Sequence, residues 1–410
     1  MLKSTLLPHQ QETVGEVLTK KYLGDFSSMG VGKSLSALAA IIESNKKALI
    51  VCPPSLVNNW LHEVKKHTTL KATPHFLKWD STADITVVPY TQVQKAEECF
   101  KNCTFIVSDE GHFLKNMNAK RTMYFHSLFY KYVPEYYMYL SGTPIKNRLP
   151  DIYSFLVLLS QGPTYPKITE HYKSFYSFCC RFTNVASGTY GLSYTGMKNV
   201  EELRTFIKPY TIKHTADVLD LPELNESSII VSYIDNPNLA EAFKSFTGSK
   251  FSADITIKVQ SALAKANFTA NYVSEALNQE EGPIVVFSDH RKPLDVMELE
   301  LSSFRVRQIT GDTSMSKRTE FIEMLNNKQL DVLLCTFGAA STGINLTASS
   351  LMVFNDLPWT VSEYEQAKKR SHRMGQKRVC RIVNIIGSSV DELILKSLDA
   401  KAKVINGVIK

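Results

Sequence analysis

Short apolar, β-branched runs recur along the first part of the chain: ALIVC at 48–52, DITVV at 84–88, TFIVSD at 104–109 and YYMYLS at 136–141. Continuous runs of this length fit strands buried on both faces of a parallel sheet. Between them lie stretches with helical spacing, KSLSALAAIIES and SLVNNWLHEVKKH, so strand and helix alternate as a doubly wound sheet requires. From about 161 to 225 the pattern stops. Gly and Pro punctuation, an aromatic-rich segment (HYKSFYSFCCRF) and one good helix (NVEELRTFIKPY, closing at DLPEL) predict an insertion or linker, not a third sheet. Alternation resumes with PIVVFSD (283–289), VRQIT (306–310), DVLLCT (331–336), SLMVFND (350–356) and CRIVNII (380–386), which predict a second α/β lobe.

A length of 410 residues fits two domains, and 44% hydrophobic with 21% charged residues is the balance of a globular chain. The expected fold class is α/β: two doubly wound parallel-sheet lobes, 1–160 and 226–410, with a small, mostly helical insertion and linker at 161–225. No stretch approaches the roughly 20 apolar residues of a membrane span, and MLKSTLLPHQ meets Pro8 before a signal-like run develops. A soluble, unprocessed intracellular protein is expected. The net charge of +7 permits a polyanionic partner without identifying one. Seven cysteines, several inside apolar runs and without paired CxxC motifs, predict reduced buried thiols rather than a zinc site.

Residues 27–34 read SSMGVGKS. Gly30 and Gly32 let backbone N–H groups turn onto phosphate oxygens, Lys33 reaches the β and γ phosphates, and the Ser34 hydroxyl can ligate Mg²⁺. A full phosphate-loop motif carries Gly where Ser27 stands, and taken alone the segment also reads as a Gly-rich turn capping a helix. Asp109 and Glu110 follow the apolar run TFIVSD, which puts adjacent carboxylates at the C-terminal end of a parallel strand, where ligands of such sheets bind. Asp109 can hold Mg²⁺, and Glu110 can orient and deprotonate the attacking water.

With His112 these residues spell DEGH, which resembles the DEAH box of superfamily 2 helicases, and further segments in order are similar to the Snf2 branch of that superfamily. They are LLPHQ (6–10), VCPPSLVNNW (51–60), DEGHFLKN (109–116), LSGTPIKN (140–147), IVVFSDH, RQITGDTSMSKR, CTFGAASTGINLT (335–347) and EQAKKRSHRMGQKR (365–378). The resemblance implies two RecA-like lobes, ATP and Mg²⁺ as cofactors, and DNA as the partner. It implies that Gln10, Met29, Gly30, Val31, Gly32, Lys33, Ser34, Gly343 and Gln366 bind ATP, that Ser34 and Asp109 hold Mg²⁺, and that His112, Ser141 and Thr143 couple the motifs. Lys33 and Glu110 are the expected catalytic residues of the first lobe. The resemblance makes Arg370 and Arg373 arginine fingers for the γ-phosphate held by the other lobe, and on a helix a spacing of three would put them on one face. Lys368, Lys369, Lys377 and Arg378 read equally well as a solvated or phosphate-binding face. Ser55, Lys146, Asn147, Thr336 and Thr342 are the implied contacts to the sugar-phosphate backbone, independent of base sequence.

The chain departs from the Snf2 pattern at YTIKHTADVLDLP, where Lys213 and His214 stand in place of a pair of arginines. No histone-reading, SANT-like or zinc module flanks the motor, so the short phage- or bacterial-type Snf2 helicase is the expected relative. The cytoplasm of a bacterial or phage-infected cell, or a nucleus, is then the expected place. The expected function is ATP-dependent translocation on duplex, forked or four-way DNA in repair, recombination or replication. The alternatives are displacement of proteins from DNA and service as a DNA-stimulated ATPase subunit of a larger complex. The aromatic segment at 172–182 is expected to pack in a core rather than stack on bases.

Overall fold

The computed structural model describes residues 1–410 except 75–78, 146–147, 164–166, 189–190, 232–251, 280, 341–343 and 409–410. It divides into two compact units, Met1–Val218 with Lys403–Lys410, and Leu219–Ala402. In the first, seven strands form one sheet: β1 (Tyr22–Asp25), β2 (Ala48–Cys52), β3 (Ala72–Pro74), β4 (Ile85–Pro89), β5 (Phe105–Asp109), β6 (Tyr136–Leu140) and β9 (Thr211–Ile212). Their order is β3-β4-β2-β5-β6-β1-β9, with every pairing parallel.

The alternation of side chains along a strand explains why these runs are apolar throughout. Leu49, Val51, Ile106, Tyr137 and Tyr139 enter one core, while Ala48, Ile50, Phe105, Val107, Met138 and Leu140 enter another. Both faces of the sheet are covered, so neither half of the period can be polar. Register then sets up the chemistry. Asp25 and Asp109 both pair with Leu140, so the ends of β1, β6 and β5 stand abreast at one edge of the sheet.

The second unit holds β10 (Leu224–Ile230), β11 (Ile284–Ser288), β12 (Val306–Ile309), β13 (Val332–Thr336), β14 (Leu351–Phe354) and β15 (Cys380–Ile386). Their order is β10-β15-β14-β11-β13-β12, again all parallel. The helix Ser252–Asn278 lays Ala266, Ala270 and Val273, one helical face, against Ile284, Val286, Val353 and Val383. It also buries Lys258 and Lys265, whose ammonium groups lie 2.5 Å from Asp289 and 2.7 Å from Asp391.

Residues 161–225 differ from the sequence expectation. β7 (Asn184–Gly188) and β8 (Gly191–Thr195) pair antiparallel as a third, two-stranded sheet. NVASG and GLSYT hold no apolar run because the hairpin is largely exposed, so hydrophobic patterning could not reveal it. The aromatic segment packs as expected, with Phe178, Cys179 and Phe182 fully buried, although Tyr176 faces solvent. The described cysteines are all free; six are buried, and Cys180 is exposed, against the expectation of buried thiols. Among the described residues no helix is long and apolar enough to cross a membrane.

Candidate active site

β1 runs into the loop carrying Met29, Gly30, Val31 and Gly32, and helix α2 (Lys33–Ser44) starts at its end, so Lys33 and Ser34 form the first turn of that helix. Gly30 and Gly32 have φ of +86° and +90°, a region that costs a side chain energy but not glycine. Gly32 has a second reason to be glycine: a β-carbon there would lie 2.2 Å from Nε2 of Gln10. Gln10, on helix α1 (Pro8–Lys20), donates from Nε2 to the Val31 carbonyl at 3.2 Å and accepts from the Leu7 N–H at 2.9 Å. A His9 ring nitrogen lies 2.9 Å from the same Val31 carbonyl. The Lys33 ammonium donates to the Ser27 and Ser28 carbonyls at 2.7 and 3.0 Å, arching over the loop.

The rim of the loop is closed by chain from far away. Phe26 N–H donates to the Ile212 carbonyl, Ser28 N–H to the His214 carbonyl, and His214 N–H to the Ser27 hydroxyl at 2.9 Å. Ser27 therefore anchors a seam to β9, which gives a physical use to the departure from glycine. Lys213 and His214, in place of the family's arginines, are part of this seam, and burial pushes the Lys213 ammonium pKa down.

At the end of β5 the Asp109 carboxylate accepts from the Trp60 indole N–H at 2.8 Å on Oδ2 and from the Glu110 N–H at 2.9 Å on Oδ1. The Tyr90 hydroxyl donates to the Asp109 carbonyl at 2.9 Å. Burial, and then the Glu110 charge, push the Asp109 carboxyl up to about 7, against the Trp60 hydrogen bond and the Lys33 ammonium, which pull it down. Metal binding favours the ionised form. Glu110 occupies the left-handed region at φ +48°, ψ +48°, a conformation that costs a non-glycine residue on the order of 1 kcal/mol and recurs at functional sites. Its Oε2 lies 3.2 Å from Nδ1 of His112, which in turn is 3.4 Å from the Ser141 hydroxyl. The Thr143 N–H donates to that hydroxyl at 3.3 Å. The segments DEGHFLKN (109–116) and LSGTPIKN (140–147) thus meet through three polar side chains, Glu110, His112 and Ser141. Gly111 sits under the Tyr139 ring and Gly142 against Met29 of the phosphate loop; a β-carbon at either would clash, at 2.3 and 2.7 Å.

The residues present fit a metal carried in with a nucleotide. Asp109 and the Ser34 hydroxyl are oxygen donors. Among the described residues no group of three or more His, Cys, Asp or Glu forms a cage, and Mg²⁺ bound through one carboxylate and substrate phosphates needs none. Ser55 is half-buried in the short turn Pro54–Leu56 that leads into helix α3 (Val57–His67).

In the second unit Ser288 and Thr336 are register partners at the ends of β11 and β13, which places Thr336 at the edge where ligands bind. Gln366 is buried on the helix Val361–Ser371 and donates to the Ser362 hydroxyl at 3.3 Å. Arg370 lies in the last turn of that helix, its carbonyl accepting from Leu346 N–H at 3.0 Å, which ties the segment 365–378 to the end of the segment 335–347. Arg373 is not on the helix. The chain leaves helical geometry at His372 and turns through Gly375 at φ +100°, so the one-face argument for the two arginines does not hold. Arg373 donates to the Ile344 carbonyl at 3.5 Å. Lys368 is buried and paired with Glu226 at 3.0 Å and Glu365 at 2.6 Å, a correction to its reading as a solvated cation, whereas Lys377 and Arg378 are exposed. Lys146, Asn147, Thr342 and Gly343 lie outside the described residues.

Four residues in this arrangement were not assigned roles from sequence. Trp60 and Tyr90 hold Asp109, His214 holds the phosphate loop, and Gln376 donates to the Thr347 and Ser349 carbonyls while accepting from the N–H groups of Lys377 and Arg378. Trp60 and Gln376 stood inside matching motifs, which was the available signal.

An SNF2-related domain model matches residues 26–250, more than half of the chain. The chain belongs to the SNF2-related family. A helicase conserved C-terminal domain model matches residues 265–375 of this SNF2-related protein. It is 26% identical over 438 residues to the SWI/SNF-related matrix-associated actin-dependent regulator of chromatin subfamily A-like protein 1 of Drosophila melanogaster, covering 99% of this chain and 56% of that protein. It is 25% identical over 450 residues to the DNA annealing helicase and endonuclease ZRANB3 of Homo sapiens, covering 98% and 40%. The chain therefore spans about half the length of these relatives. A solved structure, the Sulfolobus solfataricus SWI2/SNF2 ATPase core in complex with dsDNA, is 21% identical, with a TM-score of 0.47 and coverage of 99% of this chain and 94% of that one.

Proposed function

We propose that this SNF2-related chain is a DNA-dependent ATP hydrolase that translocates on duplex DNA and remodels forked or four-way junctions. The observation that carries the ATPase part is the set of groups at the ends of β1, β6 and β5: the Lys33 loop, the Ser141 hydroxyl and the Asp109–Glu110 pair, in register along one sheet edge. DNA as the partner is supported by the SNF2-related match and by the likeness to a DNA annealing helicase. In domain terms the proposal keeps lobes at 1–160 and 226–410, with 161–225 as insertion and linker.

The chemistry follows from the residues. Lys33, the first-turn N–H groups of α2 and the glycine loop bind and orient the triphosphate. Mg²⁺, when bound, neutralises charge on the β and γ phosphates, with Ser34 and Asp109 as its protein ligands. Glu110 orients the attacking water and takes its proton, held by its left-handed backbone beside His112. His112 relays the state of Glu110 to Ser141 and Thr143. Arg370 and Arg373 stabilise charge on the transferred phosphoryl group, and Gln366 and Gly343 complete the ATP contacts. Ser55, Thr336, Lys146, Asn147 and Thr342 take backbone phosphates, so binding is indifferent to base sequence and weakens with salt.

The test is the ATPase rate of the purified chain with single-stranded, linear duplex, forked and four-way DNA, alongside strand displacement on each. Stimulation and displacement should be greatest with forked or four-way DNA. Equal action on all four, or stimulation by RNA alone, would overturn the junction reading while leaving the ATPase standing.

A further inference from the structure

We propose that Trp60 is a positioning residue for ATP hydrolysis: its indole N–H fixes the rotation of the Asp109 carboxylate and so decides which lone pairs that carboxylate offers to Mg²⁺. The inference rests on the reading of Asp109 as the protein's metal carboxylate.

A carboxylate at a strand end turns about a soft terminal torsion, and metal geometry for Mg²⁺ is demanding. In this chain both oxygens are engaged. The Glu110 N–H takes Oδ1 at 2.9 Å, but it belongs to the neighbouring residue and moves with the same turn. The Trp60 indole takes Oδ2 at 2.8 Å from a different element, 49 residues away in sequence, and is the independent constraint. That donor is itself immobile. Trp60 is 1% exposed, and its helix α3 is seated on the apolar core through Val57 and Val64 on the same face. The chemistry of the donor is also apt. An indole N–H donates and cannot accept or ionise over the working pH range, so it orients the carboxylate without competing for the cation. A serine, histidine or lysine in that place could do so.

The test uses the full chain without DNA, so that its outcome is independent of any DNA preference. Trp60→Phe keeps an aromatic six-membered ring and removes the N–H together with the five-membered ring; the lost packing volume is controlled for by a second variant, Val64→Ala. Basal ATP hydrolysis should then need about tenfold more Mg²⁺ for half-saturation, the loss expected for one hydrogen bond to a charged group, and should recover at high Mg²⁺. The Mg²⁺-dependent binding of a non-hydrolysable ATP analogue, followed by calorimetry, should shift in parallel. Val64→Ala weakens the same helix without touching Asp109 and should leave the Mg²⁺ requirement alone. Should Trp60→Phe not fold, the indole ¹⁵N–¹H resonance of Trp60 in the wild-type chain should move when Mg²⁺ is titrated in with the analogue. A Mg²⁺ requirement in folded Trp60→Phe within about twofold of wild type, an equal shift in Val64→Ala, or an unmoved resonance would overturn the proposal. If Asp109→Asn leaves the Mg²⁺ requirement unchanged, it is the assignment of Asp109 that fails.

Discussion

Gly111 is the position where the DEAH pattern has alanine and this chain does not, and substituting that alanine gives a sharp test of the site geometry. A β-carbon on Gly111 would lie 2.3, 2.4 and 2.6 Å from Cε2, Cζ and Cδ2 of Tyr139. Ordinary carbon contacts are about 3.5–4.0 Å, so the ring would have to retreat by about 1 Å. It has nowhere to go: Tyr139 is 1% exposed, with the Phe26 and Phe155 rings 6.0 and 5.1 Å away. Overpacking of this kind costs about 1–3 kcal/mol, and a clash with three ring atoms belongs at the upper end. For a unit of this size about 3 kcal/mol corresponds to a fall in Tm of roughly 6–12 °C. The backbone that must yield instead carries Glu110, and a displacement of about 1 Å at a reacting group costs about 10²-fold in rate. Gly111→Ala should therefore lower kcat and spare ATP affinity, since the Lys33 loop is untouched. Calorimetric melting and steady-state ATPase check both parts. In a Tyr139→Leu background the added methyl should cost little, giving a coupling of about 2 kcal/mol between the two positions. An unchanged Tm and kcat for Gly111→Ala, or additive effects in the double variant, would refute the packing argument.

Glu110→Gln should keep its shape and bind ATP but trap it unhydrolysed; turnover at the wild-type rate would show that another group takes the proton. Arg370→Ala and Arg373→Ala should each lower maximal turnover while leaving ATP affinity intact, and a large rise in the ATP Kd with normal kcat would put them in ground-state binding instead. Acid should also find a weak point. Burial holds the His126 ring, 3.1 Å from the Ser154 hydroxyl, down to about 4 from the ordinary 6.5. The unfolded chain binds this proton first as pH falls, so the stabilising contribution is complete above pH 6.5 and declines toward pH 4, by at most about 1.4 kcal/mol per pH unit. Urea midpoints of His126→Gln across that window should fall less steeply than wild type, and parallel slopes would show that His126 is not responsible.

The sequence revealed most of the strands that are buried on both faces, because such strands read as unbroken apolar runs, and it also revealed β12 in VRQIT although Arg307 there is exposed. β1, which feeds the phosphate loop, was hidden in YLGD by a glycine and an aspartate, and β9 by having two residues. β10 was hidden because its LNESSII is mostly exposed. The phosphate loop and DEGH were legible since each works through consecutive residues. What escaped were partnerships across sequence: Trp60 with Asp109, Tyr90 with Asp109, His214 with Ser27. No local pattern encodes which side chain a fold will bring to a given oxygen. The helical spacing of Arg370 and Arg373 misled for the same kind of reason, since the end of the helix at His372 is decided by the pinning of the following turn through Gln376.

The seam between Ser27 and His214 has a consequence for how this protein comes into being. The two residues are 187 positions apart, so during synthesis the phosphate loop leaves the ribosome long before the segment that closes its rim exists. A nascent chain that has already made every residue of 27–34 still carries an unfinished nucleotide loop. Contacts of such separation form late, after the loop entropy between them has been surrendered. ATP capture should thus begin only once chain through His214 has emerged. A fragment cut after residue 160 would hold all the letters of the nucleotide motif and lack the stitch that shapes it.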